Sequence, residues 1–262
     1  MGLTKDFITE VAKGNVAGHS LVGRSARNPL IGTTIEDIWT IGGTRTWLTA
    51  NTTLEVLSDD ANDTSAGSGA RTVTVEGVQL DGTVVSQDVT MNGTTPVDLG
   101  TDIARVNKMF VKTAGAYGAT TGGSNAGNII CRVDGGGASQ AEILLEDTVP
   151  EGASQTSHYS VPAGKTAYLI YATISVDDVR SSIDIFLRAR QNYDNVSAPF
   201  DPVKTIMRFD GVNGTRPIVV GTSPIGGVDV FPEKTDIWFA GFASTGSDSD
   251  VTVQYILLLV DN

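Results

Sequence analysis

Between residues 71 and 91 the chain alternates apolar and polar positions with a period of two, and it reverses on Asp81-Gly82 and on Asn92-Gly93. Val73 and Val75 fall on one side of the ribbon and Thr72, Thr74 and Glu76 on the other, as in a strand with one buried face. After Gly77 the apolar parity moves to Val78 and Leu80, which predicts a bulge at that glycine. Asp-Gly and Asn-Gly supply the positive φ that tight hairpin turns demand. Few runs carry a helical period, and a chain with 30 glycines and a bias to Thr and Val reads as all-β.

Further strands are predicted near residues 105–112, 127–134, 140–145, 158–161, 166–176, 183–190, 203–208, 217–222, 236–243 and 251–260. This spacing fits two antiparallel β-sandwich or jelly-roll-like domains, residues 47–148 and 155–262. Residues 149–154, with Pro150 and Gly152, read as a linker. Residues 1–46 lack sustained alternation and read as an extended N-terminal docking arm. One short helix is predicted there over residues 5–13, capped by Thr4 and stopped by Gly14. Such an arm stays disordered unless it lies on something. The loop at 114–127, with Tyr117 its one large apolar residue, is expected to be exposed and mobile.

The formal net charge is −12, from 18 Lys and Arg against 30 Asp and Glu. Residues 1–50 carry Lys5, Lys13, Arg24, Arg27 and Arg45 against Asp6, Glu10, Glu36 and Asp37, so the arm is near neutral and the body holds the acidity. An acidic body without a basic stripe does not neutralise phosphates, so no nucleic-acid partner is expected. The longest apolar stretches, 167–172 and 255–260, fall well short of the roughly 20 residues of a membrane helix. A soluble chain without a membrane partner is expected. Asp6 stands where a myristoylation signal needs Ser or Thr. A single cysteine, Cys131, excludes an internal disulfide, and two histidines, His19 and His158, leave little for zinc or a His-based triad.

Three C-terminal stretches break the alternation: 168–172, 237–242 and 255–260 are apolar at odd and even positions alike. In an antiparallel sandwich the second face has no core of its own to enter. Either the arm and loops cover it or a second subunit does, and a subunit interface is the preferred reading. The interface candidates are Tyr168, Ile170, Trp238, Phe242, Ile256 and Leu258 on the strands, with Phe7, Ile8, Leu21, Val22, Arg24 and Arg27 on the arm.

A search for chemistry yields little. Gly18-His19-Ser20-Leu21-Val22-Gly23 lacks the spacing and context of a nucleophile elbow, and Gly67-Ser68-Gly69 precedes a strand rather than a phosphate-binding helix. Asp59, Asp60 and Asp63, and likewise Asp248 and Asp250, gather hard oxygens of the kind calcium takes. Neither cluster has the EF-hand spacing, and solvated acidic turns are the simpler reading. Trp39, Trp47 and Trp238 read as core or interface packing rather than sugar platforms. Cys131 shares a face with Ile129 and Val133 and is expected to point inward. No catalytic residue and no cofactor are expected.

Several segments carry a resemblance. They are Leu30-Ile31-Gly32-Thr33-Thr34-Ile35-Glu36-Asp37-Ile38-Trp39, the run from Ser58-Asp59-Asp60-Ala61-Asn62-Asp63 to Val73, Thr90-Met91-Asn92-Gly93-Thr94-Thr95-Pro96-Val97, Val161-Pro162-Ala163-Gly164-Lys165-Thr166-Ala167-Tyr168 and Leu258-Leu259-Val260-Asp261-Asn262. Together they look like tailed-bacteriophage virion structural proteins, either neck or tail-fibre components or head decoration (cement) proteins. The resemblance implies a place in the virion, no enzymatic activity, and partners among other virion proteins and copies of itself. A homo-oligomer is expected, with a trimer as first guess. A carbohydrate-binding module for host-surface glycans is the alternative of another class. A polysaccharide-degrading spike would show solenoid repeats, which the sequence lacks.

Overall fold

The computed structural model describes residues 6–117, 123–146, 149–177, 182–219, 229–245 and 249–262, and these are almost wholly antiparallel β-structure. A short helix, α1 (Phe7–Ala12), leads into β1 (His19–Ile31) and β2 (Glu36–Asp37). The middle of the chain holds β3 (Leu54–Ser58), β4 (Ala70–Val78), β5 (Val84–Thr90), β6 (Val97–Asp98), β7 (Arg105–Ala114), β8 (Ile129–Val133), β9 (Ser139–Ile143), β10 (Leu145–Glu146) and β11 (Val149–Pro150). The remainder holds β12 (Tyr159–Ser160), β13 (Lys165–Val176), β14 (Ser182–Arg190), β15 (Lys204–Val212), β16 (Gly214–Val219), β17 (Val230–Phe231), β18 (Asp236–Thr245) and β19 (Ser249–Asp261).

These strands build two hydrophobic cores with no residue in common. One lies between a sheet of order β1-β19-β13-β16, with β17 on β13, and a sheet of order β12-β18-β14-β15, with β2 on β18. Its inward residues alternate: Val251, Val253, Tyr255, Leu257 and Leu259 on β19, and Ile183, Ile185 and Leu187 on β14. On β13 the parity slips between Leu169 and Tyr171, so the inward set continues as Ala172, Ile174 and Val176. The second core, from residues 54–143, fills the space between β6-β3-β8-β9 and β5-β4-β7. Cys131 is buried in it, and burial pushes its thiol up to about 12. The expected bulge is present: the β4–β7 register shifts between Glu76 and Gly77, and a Cβ on Gly77 would lie 2.1 Å from the Arg105 carbonyl oxygen. The Asp81-Gly82 reversal is a longer loop than expected, closed by Gln79 N on Thr83 O at 2.9 Å, and only Gly82 takes positive φ, at 90°.

The smaller unit is inserted into the larger one. Glu36 and Asp37 pair with Gly241 and Ala240 of β18, and Tyr159 and Ser160 pair with Ile237 and Asp236 of that same strand. Trp39 and Thr156 bridge between them. The two short strands thus lie in line along β18, as halves of one strand from which residues 40–155 leave and to which they return.

This arrangement corrects the reading of residues 1–46 as an extended docking arm. β1 pairs along β19 from His19–Val260 to Ile31–Ser249, and Ala26, Ile31 and Ile38 belong to the larger core. The period was hidden because its inward positions include Arg24, whose guanidinium lies 5.0 Å over the Tyr159 ring, and Asn28. The helix starts two residues later than predicted and lies within the predicted span. Asp6 is its cap, accepting from Thr9 N at 2.9 Å, and Gly14 at φ 76° follows its end; Thr4 lies outside the described residues. The segment predicted as a linker, 149–154, is tied to β7 by Val111 N on Gly152 O and Ser154 N on Met109 O, both 2.8 Å. Of the loop at 114–127, residues 118–122 lie outside the described residues; Tyr117 is exposed and Asn125 buried. Residues 220–222 of the strand expected at 217–222 are likewise outside.

Two truncations separate a free arm from a sheet strand. Removal of residues 1–17 is expected to leave a cooperatively folding protein. Removal of 1–30 strips β19 of all but the last residue of its thirteen-residue partner and should abolish the cooperative thermal transition followed by circular dichroism.

Candidate functional site

The root of the insertion is a buried polar cluster. Asp236 is fully buried at the start of β18. It accepts from Arg105 Nε on both oxygens (3.0 and 3.2 Å), from Ser160 Oγ (2.5 Å) and from an Arg190 terminal nitrogen (2.9 Å). Arg105, from β7 of the inserted unit, is 1% exposed and also donates to the Leu48 and Ala104 carbonyls. Alongside, Asn107 and Ser160 exchange two hydrogen bonds, at 3.0 and 2.8 Å. A buried ion pair repays its desolvation only when such further hydrogen bonds saturate it. Here they do so across the boundary between the two units.

Three indoles pack around this cluster. The guanidiniums of Arg45, Arg105 and Arg190 lie 5.2–5.3 Å from the Trp47 ring centre, and Trp47 tilts against Trp238 at 5.1 Å. His158, fully buried, meets Trp39 and Trp47 edge to face at 5.1 and 5.4 Å. Its Nε2 lies 2.9 Å from Asp37 Oδ2 and its Nδ1 2.8 Å from Thr156 Oγ1. A neutral ring donating to Asp37 and accepting from Thr156 satisfies both contacts. Burial holds His158 below its usual value against the pull of Asp37. Burial, with Arg105 nearby, lowers Arg45 to about 10. The sequence places the three tryptophans in packing but does not reveal Arg105, Asp236, Asp37 or the role of His158, because the ion-pair and hydrogen-bond partners that join them lie 46 to 131 residues apart. The alignment of Trp39 and Trp47 on either side of the arm–body joint was the one available signal.

The acidic loops are structural. Asp63 is fully buried, and its carboxylate accepts from Ser58 Oγ, Ala70 N, Ala126 N and Gly127 N at 2.6–2.9 Å. Asp59 accepts from Asn128 N and Nδ2, and Asp60 from Asn62 N and Nδ2. A carboxylate ringed by donors faces a positively polarised shell and is a poor cation ligand. Asp250 pairs with Arg27 at 2.6 Å; Asp248 lies outside the described residues. A group absent from the sequence reading, Glu55, Asp98 and Asp134, brings three carboxylates together, but Glu55 already accepts from Arg132 and from the Gly135 and Gly136 amides.

The interface candidates divide. Trp238 is 3% exposed, so its face is covered from within the chain by Trp47 and by Arg188, whose guanidinium lies 5.7 Å over its ring. This corrects its place among interface residues. Phe242 stacks on Phe186 at 5.9 Å. Val22 and Arg24 turn toward the larger core, and Arg27 binds Asp250 and Glu146. The others gather on the outer face of the β1-β19-β13 sheet. Leu21 pairs with Leu258, Leu258 with Tyr168, and Tyr168 with Val230, so four strands contribute one cross-strand apolar row. Ile256 pairs with Tyr171 in the next row, and Ile170 sits at the register slip. Val230 is 51% exposed. Ile8 is half-buried on α1, and Phe7, 48% exposed, meets His19 edge to face at 5.6 Å.

Replacing Arg105 by Met leaves Asp236 in the interior with Arg190 and Ser160 as its remaining side-chain donors, and urea unfolding should show a loss of about 3 kcal/mol. Because folded His158 resists protonation, the unfolded chain takes up a proton there near its ordinary value while the folded chain does not. The His158 contribution is thus present above about pH 6.5 and lost as the pH falls below it. His158→Gln should flatten the fall in stability between about pH 7 and about pH 5, read from melting temperatures across that range.

No family model and no curated protein matches the chain. Among solved structures, it is weakly similar to the VP2 subviral particle of infectious bursal disease virus, at 10% identity and a TM-score of 0.22, over 93% of this chain and 72% of that one. A T13 viral particle structure of the same virus follows at 11% identity and a TM-score of 0.16, over 93% and 73% of the two chains. At such scores the superpositions are too loose to carry an argument, and the functional reading rests on this chain's own geometry.

Proposed function

We propose that the chain is a non-enzymatic structural subunit of a tailed-bacteriophage virion, a neck or tail-fibre component or fibre adaptor that packs against copies of itself. The observation that carries this reading is the sheet order of the larger unit. If β2 and β12 count as one interrupted strand and β17 is left aside, its eight strands in chain order fall into sheets 1-8-3-6 and 2-7-4-5. That order matches the double Greek key of a jelly roll, a fold of viral capsid domains and lectins, and supports this reading. The fold alone does not choose between these. The apolar row of Leu21, Leu258, Tyr168 and Val230 favours the self-assembling subunit, since such a row otherwise leaves several apolar side chains in water. The sequence resemblance to phage virion proteins points the same way. Residues ahead of β1, with Phe7 and Ile8, are the part of the N-terminus left for docking to a neighbouring virion protein.

Light scattering after gel filtration should give a discrete oligomer, first guessed a trimer, and Leu258→Lys should reduce it to a monomer with an unchanged melting temperature. A wild-type protein that stays monomeric at every concentration, or an oligomer indifferent to Leu258→Lys and Tyr168→Lys, overturns the proposed interface.

A further inference from the structure

β1 is an edge strand. It pairs with β19 on one side, and along residues 20–27 no backbone hydrogen bond among the described residues reaches its other side. In an antiparallel pair every second residue turns its N–H and C=O away from the partner, so this stretch offers a row of unpaired donors and acceptors, the template on which another strand adds. The row is accessible: Ser20, Gly23 and Ser25 are exposed, and a Cβ placed on Gly23 would meet nothing within 4 Å. It ends at Asn28, where the Asn28 and Glu36 side chains take the Leu30 and Gly32 amides.

A groove runs along this edge, between the larger unit and the insertion. Leu21 and Val22 of β1, Val78 of β4, Val84 of β5 and Pro162 line its apolar end, a cavity of about 370 Å³. Ser25, Ser154, Gln155 and Gln254 line its polar end, of about 500 Å³. Gly23, Arg24 and Lys108 belong to both, so two cations stand at the waist. Arg24 lies over the Tyr159 ring and Lys108 over the Phe110 ring, each at 5.0 Å, and neither has an ion pair among the described residues. Their charged ends are open to solvent, since of these nitrogens only Arg24 Nε is closed off. Glu76 lines one cavity and Glu151 the other, where Gln155 Nε2 donates to it at 2.6 Å, which leaves the waist itself positive.

This geometry narrows the occupant. Volumes of this size are those of ligand clefts; they admit an extended segment of a few residues and not the sheet that stands behind the edge of a folded second copy. Tyr159 and Tyr255 are buried, with Arg24 over one ring and Phe239 against the other, so neither offers a sugar an open face. We infer that an extended peptide segment of a partner protein adds to β1 as a further strand, with backbone hydrogen bonds to residues 20–27 and an acidic side chain between Arg24 and Lys108. The inference uses the edge of β1 and stands apart from self-association through the outer face of that sheet.

Hydrogen–deuterium exchange of the full-length protein tests it, with the peptide acetyl-Thr-Val-Thr-Glu-Thr-Val-Thr-amide as probe. Saturable slowing of exchange within β1 is expected. A peptide with Lys in place of Glu should bind at least tenfold more weakly, as loss of a charge-assisted hydrogen bond requires, and a peptide N-methylated at every residue should not protect β1. Lys108→Gln should weaken binding of the probe about tenfold, and Arg24→Gln serves the same purpose if that variant does not fold. Leu258→Lys, which tests the oligomer, should leave probe binding unchanged. No protection within β1, equal binding of the Lys or N-methylated peptide, loss of binding in Leu258→Lys, or protection by sodium glucuronate in place of the probe overturns the assignment.

Discussion

The carboxylate of Asp236 holds the two units of this molecule in one arrangement. It sits on β18, the strand that both halves of the interrupted strand lie against, and it is bound by Arg105 of the inserted unit, Arg190 of β14 and Ser160 of the returning half. Removing such a charge from water costs several kcal/mol, recovered only when every lone pair finds a directed donor. An apolar contact tolerates sliding and rotation; this one does not. The orientation of the insertion is therefore specified by polar geometry, with the Trp47 indole and its surrounding guanidiniums filling the space between.

Strands apolar on both faces have two solutions within the one chain. On β18 the second face is closed internally, where Trp47 covers Trp238. On β13 and β19 nothing among the described residues covers the outer face to the same degree, and its apolar side chains form a row across four strands that is half-buried at Leu21, Leu258 and Tyr168 and exposed at Val230. The sequence pattern is the same in both places. What differs is whether the insertion, rooted beside β18, can reach.

Most strands were legible because alternation and turn residues are local signals. The bulge at Gly77 emerged from parity, and the strands at 166–176 and 251–260 emerged within a residue or two from apolar runs that do not alternate. β1 was not legible, since an edge strand carrying Gly23, Arg24, Asn28 and Pro29 shows no period, and its burial depends on a partner over two hundred residues away. The insertion was invisible for a related reason: the halves of its host strand are two residues each, too short to leave a pattern. Likewise Asp63 looked like a solvated turn acid, and only the fold shows four donors converging on it.

The insertion also explains why so long an excursion is tolerated. Residues 40–155 depart and return at the Trp39–Thr156 bridge, so the larger unit experiences them as it would a hairpin between two paired ends. Closure entropy grows only with the logarithm of loop length, and the inserted unit offsets its own share by folding around a separate core. Two further contacts hold it: the Gly82 carbonyl accepts from Ala163 N at 3.0 Å, and Glu146 binds Arg27 of β1. Attachment at the root, the hairpin tip and β10 fixes a body at three separated points, which leaves it no free axis of rotation. An inserted unit held this way is carried rigidly with the sheet that bears the apolar row, so any assembly through that face fixes the position of the insertion too.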